Sequence, residues 1–396
     1  MEHYDVAVVG LGCLGSAAAW QASRKGAKVL GLEQYDFGHV RGASHDTSRI
    51  VRTSYGSPEY VALARAAYKD WAILEEETGQ KMLTITGGVV FFPNATGTTA
   101  LSNSEEAGSF NETMTTKEFV RSLEANRIPY ELLKPHEVTK RWPQFNVPSD
   151  VDTVYTADTG IVHAARSTAA MQYQARAYGA TLKENTQVNR AVPYEKGVVL
   201  ETSSGRFSAT KVILTMDAWV NKVLEPLGAG IQLSVMQEQI TYFKPSDPEA
   251  YEPSKFPVWM WAGNKYFYGF PTYGEPTIKA GQDLSLNYMT PEERTFVHSP
   301  KLLENLTQHM SNIIPGKGQT LRTVTCQYTI TPDRQFIISP LEKYDNILVG
   351  LGAGHAFKFA PAIGRVLAEL AIDGKTDEDV SKFGIPNTKG PVITKL

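Results

Sequence analysis

The feature that most constrains this chain is a glycine triplet near its start. Tyr4 to Val9 is a short valine-rich apolar run, Gly10-Leu11-Gly12-Cys13-Leu14-Gly15 follows at once, and Ser16 to Lys25 is rich in alanine. Gly26 can end a helix there, and Ala27 to Leu32 is a second apolar run closing on Glu33. Short apolar runs suit strands buried on both faces, and the alanine-rich stretch favours helix. The order strand, turn, helix, strand makes a βαβ unit in which each glycine has a task. Gly10 permits the tight turn, Gly12 lets a pyrophosphate approach the backbone, and Gly15 allows close packing of helix on strand. The N–H groups that open the helix, around Cys13 and Leu14, face the anion. Glu33 stands 18 residues after Gly15, placed to accept hydrogen bonds from a ribose hydroxyl, which argues against a 2′-phosphate. The motif leaves NAD and FAD both open.

A second unit of the same kind lies near the other end. Asn346 to Val349 reads as a strand, Gly350 to Gly354 as a glycine turn and Pro361 to Ile372 as a helix. With 396 residues, about two domains are expected. A helical stretch near Thr168 to Tyr178 and strands at Val198 to Thr202 and Phe207 to Thr215 belong with the glycine units. Ile231 to Asp283, dense in aromatic and β-branched residues, supplies sheet for the second domain, and the polar stretch Phe92 to Lys117 reads as an exposed loop. The expected fold is α/β: a Rossmann-type dinucleotide domain over 1–90, 145–225 and 320–396, interleaved with a mixed-sheet substrate domain over 91–144 and 226–319.

Composition removes several function classes. A net charge of -3 offers no footprint for nucleic acid or an anionic membrane. Two cysteines, Cys13 and Cys326, exclude a disulfide framework and a cysteine-rich zinc site, and the eight histidines are scattered, so no metal is expected. Met1 to Asp5 lacks the basic and apolar stretches of an export signal. A cytoplasmic or peroxisomal location is expected, the latter because Thr394-Lys395-Leu396 is one residue from a Ser-Lys-Leu address.

Between Gly42 and Arg52 the chain reads Gly-Ala-Ser-His-Asp-Thr-Ser-Arg-Ile-Val-Arg. Arg49 and Arg52 alternate with Ile50 and Val51, so one side of this segment is partly buried. Buried arginines need anionic partners: a phosphate, a flavin oxygen or a substrate carboxylate.

Here the chain resembles the monomeric sarcosine oxidase family of FAD-dependent amine oxidases, which includes N-methyltryptophan, pipecolate and fructosyl-amine oxidases. The resemblance is carried by the Gly42–Arg52 segment, Tyr268-Gly269-Phe270-Pro271, Ile278-Lys279, Cys326 to Asp333 and Gly354-His355-Ala356-Phe357-Lys358-Phe359. It runs from Val6 to about Val380, with the motifs in family order. It implies FAD, held by the glycine motif, Glu33, Ser44, Thr47, Ser48, Arg49, Gly354, His355, Phe357 and Lys358. Cys326 matches the cysteine that forms a thioether to the flavin 8α carbon, whereas Cys13 is expected only to pack. Lys279 matches the lysine beside which O2 is reduced, since a fixed cation stabilises the charge that develops on oxygen. Arg52 and Lys358 match the pair that clamps a substrate carboxylate, Arg49 a cation beside the flavin ring, and Tyr268 and Tyr328 phenols lining the substrate cavity. The helix from Pro361 would point its positive end at the flavin.

The implied activity is oxidation of a secondary amino acid to an imine that hydrolyses, with O2 reduced to H2O2, by a monomer acting on a small molecule. Two positions depart from the family. Asp283 stands where sarcosine-oxidising members carry histidine; an acid there could pair with Lys279 or with a cationic or polyhydroxyl substrate, as in some fructosyl-amine oxidases. Asp217 replaces the glycine before Ala218-Trp219. The run Trp259-Met260-Trp261 suggests either a bulky substrate or core packing. An NAD-linked dehydrogenase and a non-catalytic flavin-binding protein are the rivals from other classes.

Overall fold

The computed structural model describes residues 1–93 and 115–386. Most of the loop expected between Phe92 and Lys117, and the tripeptide Thr394-Lys395-Leu396, lie outside the described residues.

The glycine unit forms as its pattern demands. The strand His3–Val9 runs parallel to Val29–Leu32, and the helix Cys13–Arg24 joins them. Val6, Ala7 and Val8 are almost fully covered, as a parallel strand with helices on its faces requires. The sheet grows on one side to Thr181–Lys183 and on the other to Gly205–Leu214, both parallel to their neighbours. The lower half of Gly205–Leu214 pairs antiparallel with Gly197–Thr202, while its upper end runs parallel to Ile347–Leu351. The late strand therefore returns beside the early ones, and the helix Ala360–Ile372 that follows it packs on Cys13–Arg24. The approach is close: a Cβ at Gly364 would lie 2.4 Å from the Ala17 Cβ and 2.6 Å from the Ala18 nitrogen.

A second, largely antiparallel sheet has eight strands, in the order Gln319–Ile330, Ser234–Lys244, Ile278–Asp283, Tyr266–Phe270, Val258–Ala262, Gly88–Pro93, Val151–Thr156 and Glu131–Leu133. Gln319–Ile330 pairs along its length with Ser234–Lys244, so Cys326 and Tyr328 are held by the hydrogen bonds of this sheet. Strand alternation decides the aromatic run. Trp259 is fully buried and belongs, with the partly buried Trp261, to a core around Phe91 and Phe145, while Met260 between them faces the space between the sheets. The two tryptophans are core, not substrate wall.

A small third sheet, Arg49–Val51 with Gly160–Val162 and Leu83–Ile85, fixes the segment that carries Arg49 and Arg52. Behind it lies the longest helix, Pro58–Thr78, which starts with proline at its first turn and stops at Gly79 in the left-handed conformation, φ 65°. Among the described residues no helix is long and apolar enough to cross a membrane.

Candidate active site

One continuous cavity runs from the glycine turn to the second sheet. It is lined by Gly10, Gly12, Cys13, Leu14 and Glu33 at one end and by Tyr268, Lys279, Asp283, Cys326, Tyr328 and Lys358 at the other, with Ser44, Ser48, Arg49, Arg52, Gly354, His355 and Phe357 between or beside them. Gly15 and Thr47 are not on its wall. Gly15 packs behind it, where a Cβ would meet the Gly10 carbonyl oxygen at 1.8 Å. The Thr47 hydroxyl bonds the Tyr242 phenol at 3.2 Å. The empty volume is about 2310 Å³ including open solvent at the mouth.

At the glycine end the backbone is shaped for an anion. Gly10 has φ 87°, and a Cβ there would strike the Thr215 carbonyl at 2.6 Å. The N–H of Cys13 donates to the Ser44 hydroxyl at 2.9 Å, while Leu14 and Gly15 sit in the first turn, where no carbonyl of the helix can reach their N–H groups. Glu33 is nearly buried, and its carboxylate accepts from the Leu11 N–H at 2.8 Å and the Tyr35 N–H at 3.1 Å. Those bonds orient it at the end of its strand. Asp217 stands at φ 48°, which glycine would adopt without strain, and accepts from the Gln327 amide at 3.2 Å. Burial raises the Asp217 carboxyl pKa. Among the described residues, cavity side chains with buried polar atoms that lack a protein partner include Gln327 Oε1, His45 Nε2 and His355 Nδ1. Buried polar atoms call for partners, and a long ligand rich in hydrogen-bonding groups, as FAD is, would supply them. The residues present fit that group.

At the other end two cations face one aromatic ring. The Arg52 guanidinium lies 4.5 Å and the Lys358 ammonium 5.9 Å from the centre of the Tyr55 ring. Arg52 also donates to the Ser54 carbonyl and Lys358 to the His355 carbonyl, each at 3.0 Å. Burial, reinforced by Arg52, lowers the Lys358 ammonium to about 7, with Asp283 opposing. Asp283 does not pair with Lys279: its carboxylate lies 4.0 Å from Arg334. Burial, before any neighbouring charge, pushes the phenols of Tyr268 and Tyr328 well above their ordinary value, so both stay protonated donors.

Lys279 is almost fully buried. Its ammonium donates to Asp46 Oδ2 at 2.7 Å and to the Ser48 carbonyl at 3.0 Å, with the Phe270 ring centre 4.8 Å away. Burial lowers it to about 8, although Asp46 pulls the other way. Cys326 is buried in the same wall, and burial raises its thiol to about 11 against the opposing field of Arg49. Burial raises the Cys13 thiol to about 11 as well. Sequence reasoning singles out neither Asp46 nor Tyr55. The only signal for Asp46 was an acid amid the cations of the Gly42–Arg52 segment, and for Tyr55 an aromatic three residues beyond Arg52.

A dinucleotide cradle joined to a cationic, phenol-lined chamber defines a flavin-dependent oxidoreductase. Residues 5–370 match the family model DAO, FAD dependent oxidoreductase. The monomeric sarcosine oxidase of Bacillus sp. (strain B-0618) is 32% identical over 389 residues, covering 97% of this chain and 96% of that one. The peroxisomal sarcosine oxidase of Homo sapiens is 28% identical over 395 residues, 97% of this chain and 96% of the relative. Among solved structures, NikD, described as an unusual amino acid oxidase essential for nikkomycin biosynthesis, superposes with a TM-score of 0.85 at 27% identity, covering 97% of this chain and 98% of that one. The chain belongs to the monomeric sarcosine oxidase family, within the FAD-dependent oxidoreductases.

Proposed function

We propose that this enzyme is a flavin oxidase of N-alkyl or cyclic amino acids, with O2 as electron acceptor and H2O2 as product. One observation carries the reading: Arg52 and Lys358, 306 residues apart in sequence, converge on the Tyr55 ring and both line the cavity that also holds Lys279 and Cys326. A carboxylate between the two cations would be drawn to both, and two charge-assisted contacts fix its direction as well as its place. FAD, when bound, supplies the two-electron acceptor for oxidation of the C–N bond. The chain's own contribution is to hold the substrate by its carboxylate and keep the Tyr268 and Tyr328 phenols protonated against it. Lys279 presents a cation where charge develops on O2. The imine leaves and hydrolyses in water.

In this reading Cys326 bonds covalently to the flavin 8α carbon, Arg49 lies beside the ring, and Gly10 to Gly15, Glu33 and Ser44 hold the adenosine and pyrophosphate end. Sarcosine is the first substrate to try, because relatives are named for it. Asp283, on the same wall, favours a fructosyl-amine substrate as a second reading, since a carboxylate accepts from sugar hydroxyls. A peroxide-coupled screen over N-methyl, cyclic and fructosyl amino acids separates the two. Peroxide from primary amines alone would overturn both.

A further inference from the structure

Strand register brings two side chains to one point at the edge of the cavity, where Lys279 lines it. Tyr242 and Lys279 are directly paired across neighbouring antiparallel strands, so both project to the same face. Asp46 meets them from the Gly42–Arg52 segment: its Oδ1 accepts from the Tyr242 phenol and its Oδ2 from the Lys279 ammonium. The Asp46 side chain is 8% exposed and that of Lys279 4%. Asp46 sits at φ 80°, a region that aspartate and asparagine visit more readily than other L-residues. An uncommon backbone conformation and a buried, doubly anchored carboxylate thus coincide at one residue.

Resting on the oxidase reading above, we propose that Asp46 is a positioning residue that fixes the place and the charge of the Lys279 ammonium where oxygen is reduced. The groups around that ammonium are His45, Asp46 and Arg49 from one segment, Tyr242 and Phe270 from two strands of the second sheet, Cys326 from a third, and His163. Asp46 is the carboxylate among them. Arg49, 3.9 Å from the same Asp46 oxygen, disfavours a second cation nearby. Burial disfavours charge altogether, so without Asp46 the lysine would shed its proton near neutral pH. With it, the ammonium persists to about pH 8.

The test compares wild type with Asp46→Asn and Asp46→Gly. Asparagine and glycine both tolerate positive φ, so neither variant adds a backbone clash, and a thermal melt of each holoprotein reports whether it is folded. Lysine labelled with 13C at Cε and assigned with Lys279→Arg reports the Lys279 titration by NMR in the holoprotein. Stopped flow measures flavin reduction by N-methyl amino acids without oxygen, and reoxidation by O2 separately. Removing an opposite charge at this range lowers a lysine by roughly 1–3 pH units. At pH 8 a fall of one unit cuts the charged fraction about fivefold and a fall of two units about fiftyfold. Reoxidation should slow by that factor and its pH midpoint should move with the NMR titration, while flavin reduction changes little. An unmoved Lys279 titration in both variants would overturn the proposal. Failure of every amine to reduce the wild-type flavin would instead overturn the oxidase reading, and the NMR titration would still decide the role of Asp46.

Discussion

Replacing Lys358 by methionine should stabilise the protein below neutral pH while disabling its substrate clamp. The ordinary lysine value is 10.5 and burial beside Arg52 brings Lys358 to about 7, a difference worth about 5 kcal/mol at roughly 1.36 kcal/mol per pH unit. Lys358 keeps partial access to cavity water, so a realised cost of about 1–3 kcal/mol is expected. The sign follows from proton counting. Below pH 7 both folded and unfolded chains carry the proton, and the folded chain bears the full penalty of the buried charge. Between pH 7 and 10.5 the unfolded chain holds a proton that the folded one has lost, so stability rises with pH through that window. Lys358→Met lacks the penalty throughout. Its urea midpoint should exceed that of wild type at pH 6, and the gap should narrow from pH 7 upwards and vanish only near pH 10.5. Loss of one charge-assisted contact, worth roughly 1.5–3 kcal/mol, should lower kcat/KM for a carboxylate substrate about 10- to 150-fold, and far less for the corresponding amine without the carboxylate. Equal midpoints at pH 6 would refute the buried-charge cost, and equal losses on both substrates would refute the clamp.

Acid-precipitated wild type should keep its yellow colour in the pellet, whereas Cys326→Ala should release it or purify nearly colourless; absorbance of the supernatant distinguishes a thioether from a dissociable flavin. Lys279→Met should slow flavin reoxidation by O2 at least tenfold, the order expected for losing one fixed charge aimed at a developing anion, with anaerobic reduction almost unchanged in stopped flow. Gly15→Ala would drive a Cβ to 1.8 Å from the Gly10 carbonyl. Backbone must shift to admit it, and a loss of several kcal/mol, read as a lower melting temperature with reduced flavin content, is expected.

How far the sequence discloses this molecule depends on the range over which each feature is written. The glycine turn was legible because its whole logic fits between Tyr4 and Glu33, and the late Gly350–Gly354 turn because it repeats the local pattern of a strand, glycines and a helix. The helix Pro58–Thr78 is equally local, with proline after Ser57, apolar residues at helical spacing and Gly79 as its stop, yet it carries no chemistry-bearing motif to draw notice. Cys326, Lys279 and Lys358 were legible through resemblance, since nothing near them in the chain states what they face. Asp46 shows the limit. Its partners lie 196 and 233 residues away, and only the register between Ser234–Lys244 and Ile278–Asp283 makes Tyr242 and Lys279 neighbours. A shift of that register by one residue would turn Lys279 to the opposite face of the sheet and leave Asp46 buried without its cation. The site's electrostatics are therefore set by sheet pairing as much as by residue identity. Asp283 illustrates the same rule: four residues from Lys279 on the same strand, it pairs with Arg334 from a turn beyond the neighbouring strands, and a carboxylate from a third segment takes the lysine.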